Sequence, residues 1–436
     1  MKPIHAALLG VGTVGGGVWT VLQRNADEIA RRAGSTIDIR VVADKDVAHA
    51  RAVTGNAVPV LADAFSAIAD PEIDIVIELI GGTGVAKDLV LAAIEKGKHV
   101  VTANKALLAL HGNDIFAAAH KKGVVVAFEA AVAGGIPMIK ALREGLAANR
   151  IQWLAGIING TTNFILSEMR DKGLPFDRVL KEAQRLGYAE SDPTFDIEGI
   201  DAAHKLAIMS AIAFGIPLQF EQAHIEGISQ LDATDIQYAE QLGYRIKLIG
   251  LTRRRPEGFE LRVHPTLVPS RRLIANVEGA MNAVLVQGDA VGATLYYGKG
   301  AGAEPTASAV IADLVDVART HCADPGHRVP HLAFQPDQIC PGNILHLSDI
   351  ETGYYLRLRV DDKTGVLADI TRILADERIS IDALLQREPL ENETQTDIII
   401  LTHVTRESAA DSAIAKIQAL AAVQGPITKL RVESLA

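Results

Sequence analysis

The chain is predicted to be an α/β protein with an N-terminal parallel sheet wrapped by helices, an α+β middle and a C-terminal βαββαβ unit. Three observations carry this. Short β-branched runs alternate with helical patterns through residues 1–150. Between those runs, apolar residues stand at helical spacing, such as Val18, Val21, Leu22 and Ile29, or Leu89, Val90, Ala93 and Ile94. After a Pro-rich stretch near the C-terminal third, the apolar patterns follow a strand, helix, strand, strand, helix, strand order. A length of 436 residues, 48% of them hydrophobic, corresponds to about three domains at roughly 150 residues each.

In chain order, the first domain (1–150) has strands at Ile4 to Leu9, Ile37 to Val42, Ile73 to Ile80, His99 to Thr102 and Val124 to Phe128. Pro137 stands where a helix could begin, followed by Ile139, Leu142 and Leu146 on one face. A substrate-binding and catalytic α+β domain is assigned to 151–320. Its apolar stretch Leu206 to Leu218 is interrupted by Ser210, Gly215 and Pro217, and is shorter than the roughly 20 residues of a spanning helix. It reads as a buried helix. The helix at 305–321, which follows Gly298, Gly300 and Gly302, is expected to complete the first domain. Residues 321–353 form the linker, with Pro325, Pro330, Pro336 and Pro341 precluding regular structure throughout. The last domain, 354–434, has strands at Tyr354 to Val360, Ile379 to Gln386, Asp397 to Val404 and near Ile427 to Val432, with helices Val366 to Ala375 and Ser408 to Leu420.

Composition narrows the function classes. Lys and Arg number 43 against 53 Asp and Glu, a net charge of -10 without a block of like charge. This argues against nucleic acid and against an anionic membrane as partners. A 4% aromatic content argues against a base-stacking platform. The start, Met1 to Trp19, is broken by Gly10, Gly12 and Gly15 to Gly17, and reads as strand and turn. Two cysteines, Cys322 and Cys340, make no disulfide framework, and a cytoplasmic location is expected. With His321, His327 and His331 they match no compact zinc spacing. HExxH, GxSxG and GxxxxGK[ST] do not occur.

The chemistry-bearing motifs lie elsewhere. Gly10-Val11-Gly12-Thr13-Val14-Gly15 follows the first strand and opens a helix. That is the context of a Rossmann-type dinucleotide turn: Gly10 for the bend, Gly12 for close approach to a pyrophosphate, Gly15 for packing helix on strand. Asp44, at the end of the second strand, is placed to accept from an adenosine ribose, whereas Lys45 and Arg40 could neutralise a 2′-phosphate. NAD and NADP both stay open, and an ordinary loop carboxylate is the plainer alternative for Asp44. Gly81-Gly82-Thr83 and Thr102-Ala103-Asn104-Lys105 stand at carboxyl ends of strands, where α/β sheets bind ligands, so Asn104 and Lys105 would face the nicotinamide. A solvated lysine is the alternative there. The densest polar block runs from Gly187 through Glu190 and Asp196 to Asp201 and Lys205. Asp201 and Lys205, at i and i+4, share one helix face. They make either a helix ion pair or, among apolar flanks, a lysine able to shuttle a proton.

Together with Val101 to Leu107, Phe128 to Pro137 and Gly156 to Asn163, these motifs make the chain resemble, along nearly its whole length, the homoserine dehydrogenases that carry a C-terminal ACT regulatory domain. The resemblance implies NAD- or NADP-dependent interconversion of L-homoserine and L-aspartate 4-semialdehyde. It implies Lys205 as general acid/base, Lys105 as a second catalytic amine, and Gly187, Glu190, Asp196, Asp201 and Thr161 as substrate-binding residues. Glu190 would grip the substrate ammonium. Thr161 and Thr162 could equally cap a helix. It further implies Gly302 as a late cofactor contact, and a sodium or potassium ion held by Glu129, Val132, Gly134 and Ile136. The stretch Val360 to Leu367 resembles the ACT turn, which implies L-threonine as effector and a homodimer or homotetramer; simple dimerisation is the other role for that module. Two rivals stand beside this reading. One is a regulatory protein whose dinucleotide half has lost catalysis, against which Lys105, Glu190 and Lys205 speak. The other is a hydroxy-acid dehydrogenase, expected to use a histidine relay in place of two lysines.

Overall fold

Runs buried on both faces become parallel strands, since every backbone N–H and C=O in them finds a neighbour while branched side chains pack against helices above and below. The computed structural model describes residues 3–387 and 393–436. They fall into two units. The first comprises Met1–Gly160, Asp201–Ala223 and Ala280–Gly342, and the second Thr161–Ile200, His224–Gly279 and Asn343–Ala436.

The first unit is built on β1 (Ile4–Leu9), β2 (Ile37–Ala43), β3 (Val60–Leu61), β4 (Ile75–Glu78), β5 (His99–Thr102) and β6 (Val126–Ala127). All pairs are parallel, in the order 3-2-1-4-5-6. The order reverses between β1 and β4, and the carboxyl ends of those strands frame the crevice in which such sheets bind dinucleotides. Two predicted strands are shorter than the apolar runs suggested. At β4 the Glu78 carboxylate takes the N–H groups of Ile80 and Gly81, drawing the chain out of the ladder. At β6 the Val126 N–H donates to the His331 ring. The two-residue β3 was not among the predicted strands.

Helix Thr13–Arg24 lies against the late helix Ala303–Thr320; a Cβ at Gly17 would stand 2.5 Å from the Ala303 carbonyl oxygen. Val310 and Leu314 of the late helix share one apolar core with Leu8, Val18, Leu22 and Ile77. The same unit holds an antiparallel trio: Met281–Gly288 between Ile151–Ile157 and Gly292–Lys299. Helix Ile200–Phe214 is buried at every position from Asp201 to Phe214. It ends at Gly215, in the left-handed region with φ +67°, and the absent side chain there makes room for the Phe334 ring. The Cys340 N–H donates to the Gly215 carbonyl at 3.0 Å, and His331 stacks on Phe116. The Pro-rich stretch is therefore irregular, as its prolines require, yet pinned to two helices. Among the described residues, no three His, Cys, Asp or Glu side chains gather as a metal cluster, and no helix is long and apolar enough to cross a membrane.

The second unit has a long hairpin, Tyr244–Arg255 with Gly258–Pro269. Strand Thr428–Val432 pairs in parallel with its second arm and antiparallel with Glu351–Asp361. Glu351–Asp361 then pairs with Gln395–Thr402, and that strand with Ile381–Gln386. Helices Val366–Asp376 and Glu407–Gln418 complete the βαββαβ order. Their Ile370, Leu374, Ala413 and Ile417 form one core with Leu356, Leu358, Ile398 and Ile400. The same unit carries helices Gly160–Lys172, Phe176–Arg185, Thr194–Ile197 and Ala233–Gln241.

Candidate active site

The glycine turn after β1 shows why each glycine is there. Gly10 adopts φ +89°, and a Cβ on it would lie 2.7 Å from the Leu79 oxygen; one on Gly15 would lie 2.0 Å from the Gly10 oxygen. At Gly12 nothing lies within 4 Å. Two glycines thus serve packing inside the protein, and the third leaves its face open to an outside group. No side chain caps the helix that begins at Thr13 and Val14, so its first N–H groups and its dipole suit a pyrophosphate. The turn fits a dinucleotide. Asp44 accepts from the Val11 N–H at 2.7 Å and the Asp46 N–H at 2.9 Å, which ties β2 to the turn; Lys45 is exposed. Gly302, at φ +128°, precedes helix Ala303–Thr320.

At the ends of β4 and β5, Asn104 caps helix Lys105–Lys122 through the Leu107 N–H and donates to the Gly82 carbonyl at 2.7 Å. Lys105, the first residue of that helix, reaches Asp201 Oδ1 at 3.2 Å. Asp201 Oδ2 lies 2.7 Å from Lys205 Nζ and 2.8 Å from Asn159 Nδ2, and Lys205 also donates to the Ile158 carbonyl at 2.8 Å. The helix spacing foretold the contact of Asp201 with Lys205. The arrival of Lys105 and Asn159 at the same carboxylate had no sequence signal. Burial alone would raise the Asp201 carboxyl, but the Lys205 and Lys105 ammonium groups, with hydrogen bonds from Lys205 and Asn159, hold it down to about 2. The side chains of Asp201 and Lys205 are 5% and 11% exposed, and that of Lys105 is 33% exposed. His204, beside them in sequence, packs on the Phe220 ring, and burial lowers its imidazole to about 4.

In the second unit, Thr161 Oγ1 lies 2.7 Å from the Tyr188 carbonyl oxygen and 3.0 Å from Asp196 Oδ2. The hydroxyl ties Tyr188 to Asp196 within the polar block. Gly187 has φ +78° and ends helix Phe176–Arg185, while Glu190 is exposed, its main-chain oxygen accepting from Gln184.

Glu129 is buried, and its two carboxylate oxygens accept from the Ile139 and Lys140 N–H groups. Burial raises its carboxyl above the ordinary range. The turn between them has left-handed residues at Ala133 and Gly134, and a Cβ at Gly134 would meet the Gly300 oxygen at 2.5 Å. One carboxylate with the carbonyls of Val132, Gly134 and Ile136 is a donor set of the kind a hard cation takes.

Comparison with known proteins decides the family. Residues 10–129 match the model of the homoserine dehydrogenase NAD binding domain, residues 137–315 that of homoserine dehydrogenase, and residues 354–422 that of the ACT domain. The homoserine dehydrogenase of Pseudomonas aeruginosa is 60% identical, and that of Neisseria gonorrhoeae 59%, over 435 residues and 100% of each chain. The crystal structure of a homoserine dehydrogenase from Thiobacillus denitrificans superposes with a TM-score of 0.96 at 68% identity, covering 100% of this chain and 99% of that one. The chain belongs to the homoserine dehydrogenase family. It is thus an NAD(P)-dependent oxidoreductase with a Rossmann-type sheet and a C-terminal ACT domain. In this homoserine dehydrogenase fold, Glu78 bonds at the site's edge without having been singled out in the sequence, while Thr102 and Asn159, quoted there within motifs, had been given no partner; all three are buried. A buried acid at the end of an apolar strand run is the signal that could have found the first.

Proposed function

We propose that the chain interconverts L-homoserine and L-aspartate 4-semialdehyde, in threonine and methionine biosynthesis, with Lys205 as general acid/base and Lys105 as the second amine. The observation that carries this is the Asp201 carboxylate shared between the two lysines. Held ionised, Asp201 neutralises one ammonium, and with both lysines protonated, the state from which reduction starts, the group carries one positive charge in excess. That excess stabilises negative charge developing on the substrate oxygen. As the neutral amine, Lys205, fixed between the Ile158 carbonyl and Asp201, takes the hydroxyl proton during oxidation and becomes the ammonium; during reduction it starts as the ammonium and returns that proton. NAD or NADP, when bound, accepts the hydride. Gly10, Gly12, Thr13, Val14 and Gly15 hold its pyrophosphate, Asp44 and Lys45 read its ribose, and Asn104, Lys105 and Gly302 border it. Glu190 and the Gly187 backbone take the substrate ammonium, with Asp196 oriented by Thr161.

A sodium or potassium ion belongs with Glu129, Val132, Gly134 and Ile136, where it would fix the turn. L-Threonine is the proposed effector at the ACT turn. Gly365 at φ +93° leads into helix Val366–Asp376, whose N-terminus no side chain caps, a place for an amino-acid carboxylate. A homodimer or homotetramer in the cytoplasm completes the reading.

The test is nicotinamide reduction by the purified chain with L-homoserine, comparing NAD with NADP, with and without L-threonine, in sodium, potassium or neither. Turnover with one cofactor favoured, stimulation by the ion and inhibition by threonine are expected. Silence from folded protein under every condition would sink the reaction. Turnover indifferent to threonine would remove the effector and leave the reaction standing.

A further inference from the structure

Three donors converge on the side chain of Glu78, the last residue of β4, which is 0% exposed. The N–H groups of Ile80 and Gly81 donate to Oε1 at 2.9 and 3.1 Å, and the Thr102 hydroxyl donates to Oε2 at 2.7 Å. Thr102 Oγ1 in turn accepts the Asn104 N–H at 3.0 Å. The Asn104 side chain donates back to the Gly82 carbonyl, while its oxygen caps the helix that starts at Lys105. The bonds close a ring: Glu78, Thr102, Asn104, Gly82, Gly81 and back to Glu78. Gly81 and Gly82 both have positive φ, +81° and +74°, a conformation with little stiffness of its own. Two strand ends and one helix start are thereby fixed to one another at the sheet edge where a nicotinamide is expected.

We propose that Glu78 is a positioning residue for the dehydrogenase reaction: through Thr102 and Asn104 it sets the place of Lys105 and of the Gly81-Gly82 edge against the nicotinamide. This rests on the reading of Lys105 given above. A buried carboxylate is a costly way to end a strand. It is repaid here because a carboxylate accepts all three donors at once, whereas a carboxamide at the same place must turn its NH2 toward one of them.

The test combines Glu78→Gln, Thr102→Val, Thr102→Ser and the double variant Glu78→Gln/Thr102→Val, in the full chain. Read-outs are kcat and KM for L-homoserine, and NADH and NADPH affinity by nicotinamide fluorescence. Thr102→Val is expected to lower kcat about tenfold or more and to weaken nicotinamide binding, with a smaller change in the homoserine KM, as a misplaced reacting group should. Thr102→Ser restores the hydroxyl and should recover most of both. The double variant should be no worse than the poorer single one, since one ring is broken only once. Wild-type kcat and nicotinamide affinity in Thr102→Val would overturn the proposal, and so would losses that multiply in the double variant or a Ser variant as poor as Val. The nicotinamide arm reads the ring without turnover. A wild-type chain inert toward homoserine would therefore count against the reaction, and an unchanged affinity in Thr102→Val against this role of Glu78.

Discussion

Buried ions are handled differently in the two units. In the first, Asp201 stands between Lys105 and Lys205, a set with one cation in excess, and Lys105 remains one-third exposed. In the second, Arg431 is buried between Glu407 and Glu226, and Glu407 also accepts from Lys429 and from the Tyr354 hydroxyl. On the paired strand Gly258–Pro269, Arg262 lies between Glu260 and Glu433. Burial would raise the Glu407 and Glu433 carboxyls, but Arg431 holds the former, and Arg262 with Arg253 the latter, at about 2. Around Arg431 two cations, Arg431 and Lys429, face three carboxylates, Glu407, Glu226 and Asp411, with Arg431 and Glu407 shut away from water and Glu226 and Asp411 at the rim; around Asp201 the carboxylate is the buried member, two lysines outnumber it, and a positive charge is left over. The arrangement around Arg431 ties strand Thr428–Val432 to its neighbours, and the one around Asp201 is the one proposed to carry chemistry.

The sharpest way to break this contrast is to remove one cation from each group. Lys205→Ala should lower turnover by about 10²–10⁴-fold, the range of a lost general acid/base, while NAD(P)H binding stays near wild type and any loss of stability is limited by Lys105 and Asn159, which still face Asp201. Arg431→Met should do the opposite. It takes from the buried Glu407 the closer of its two cations, leaving Lys429, and should cost roughly 3 kcal/mol of stability, read by urea unfolding, with kcat of the folded fraction little changed. Should Arg431→Met abolish turnover in fully folded protein, the second network reaches the chemistry, and the division drawn here fails.

Acid acts on the two units over different pH ranges. In the first unit, burial lowers His99 and His204 to about 4 and His331 to about 3. A histidine whose folded pKa lies below its unfolded one binds its proton more readily when unfolded. Its contribution is complete above the unfolded value of about 6.5 and is lost as pH falls toward the folded value. The carboxylates of the second unit, depressed to about 2, keep their contribution until pH falls below about 4.5. The three histidines should therefore begin to cost stability near pH 6.5, offset in part by Asp313, whose carboxyl, raised by burial and by Glu129 to about 7, takes up its proton more readily in the folded state as pH falls. His331→Gln, which keeps an acceptor for the Val126 N–H but does not titrate, should make the loss of stability shallower in urea midpoints taken from pH 7 to 4. An unchanged slope would mean that His331 is not kept neutral.

What could be read from the chain follows the range of the forces involved. The alternation of β1, β2, β4 and β5 with helices is a local pattern, and so is the Asp201 and Lys205 spacing. Two-residue β3 has no periodicity to detect, and β4 ends early because of a carboxylate that an apolar run conceals. The pinning of Phe334 under Gly215 joins segments far apart in sequence, as does the meeting of Lys105 with Asp201. For the same reason the site was legible as a set of residue types and not as a bonding pattern. Thr161 could be expected near a substrate or at a helix cap, and only the fold shows its hydroxyl on Asp196.

Asp44 gives the smallest and most discriminating test of where structure ends and recognition begins. Its two oxygens already hold the Val11 and Asp46 N–H groups, so removing the side chain would loosen the glycine turn for either cofactor. Asp44→Asn keeps an oxygen for one of them and removes the charge. If the carboxylate also reads the ribose, NAD should lose roughly tenfold in kcat/KM, the worth of one charge-assisted hydrogen bond. NADP, whose 2′-phosphate is repelled by that carboxylate and attracted by the exposed Lys45, should lose less or gain. Equal losses for both would assign Asp44 to the turn alone, as a brace between β2 and Val11, and would shift ribose recognition to other residues of the crevice.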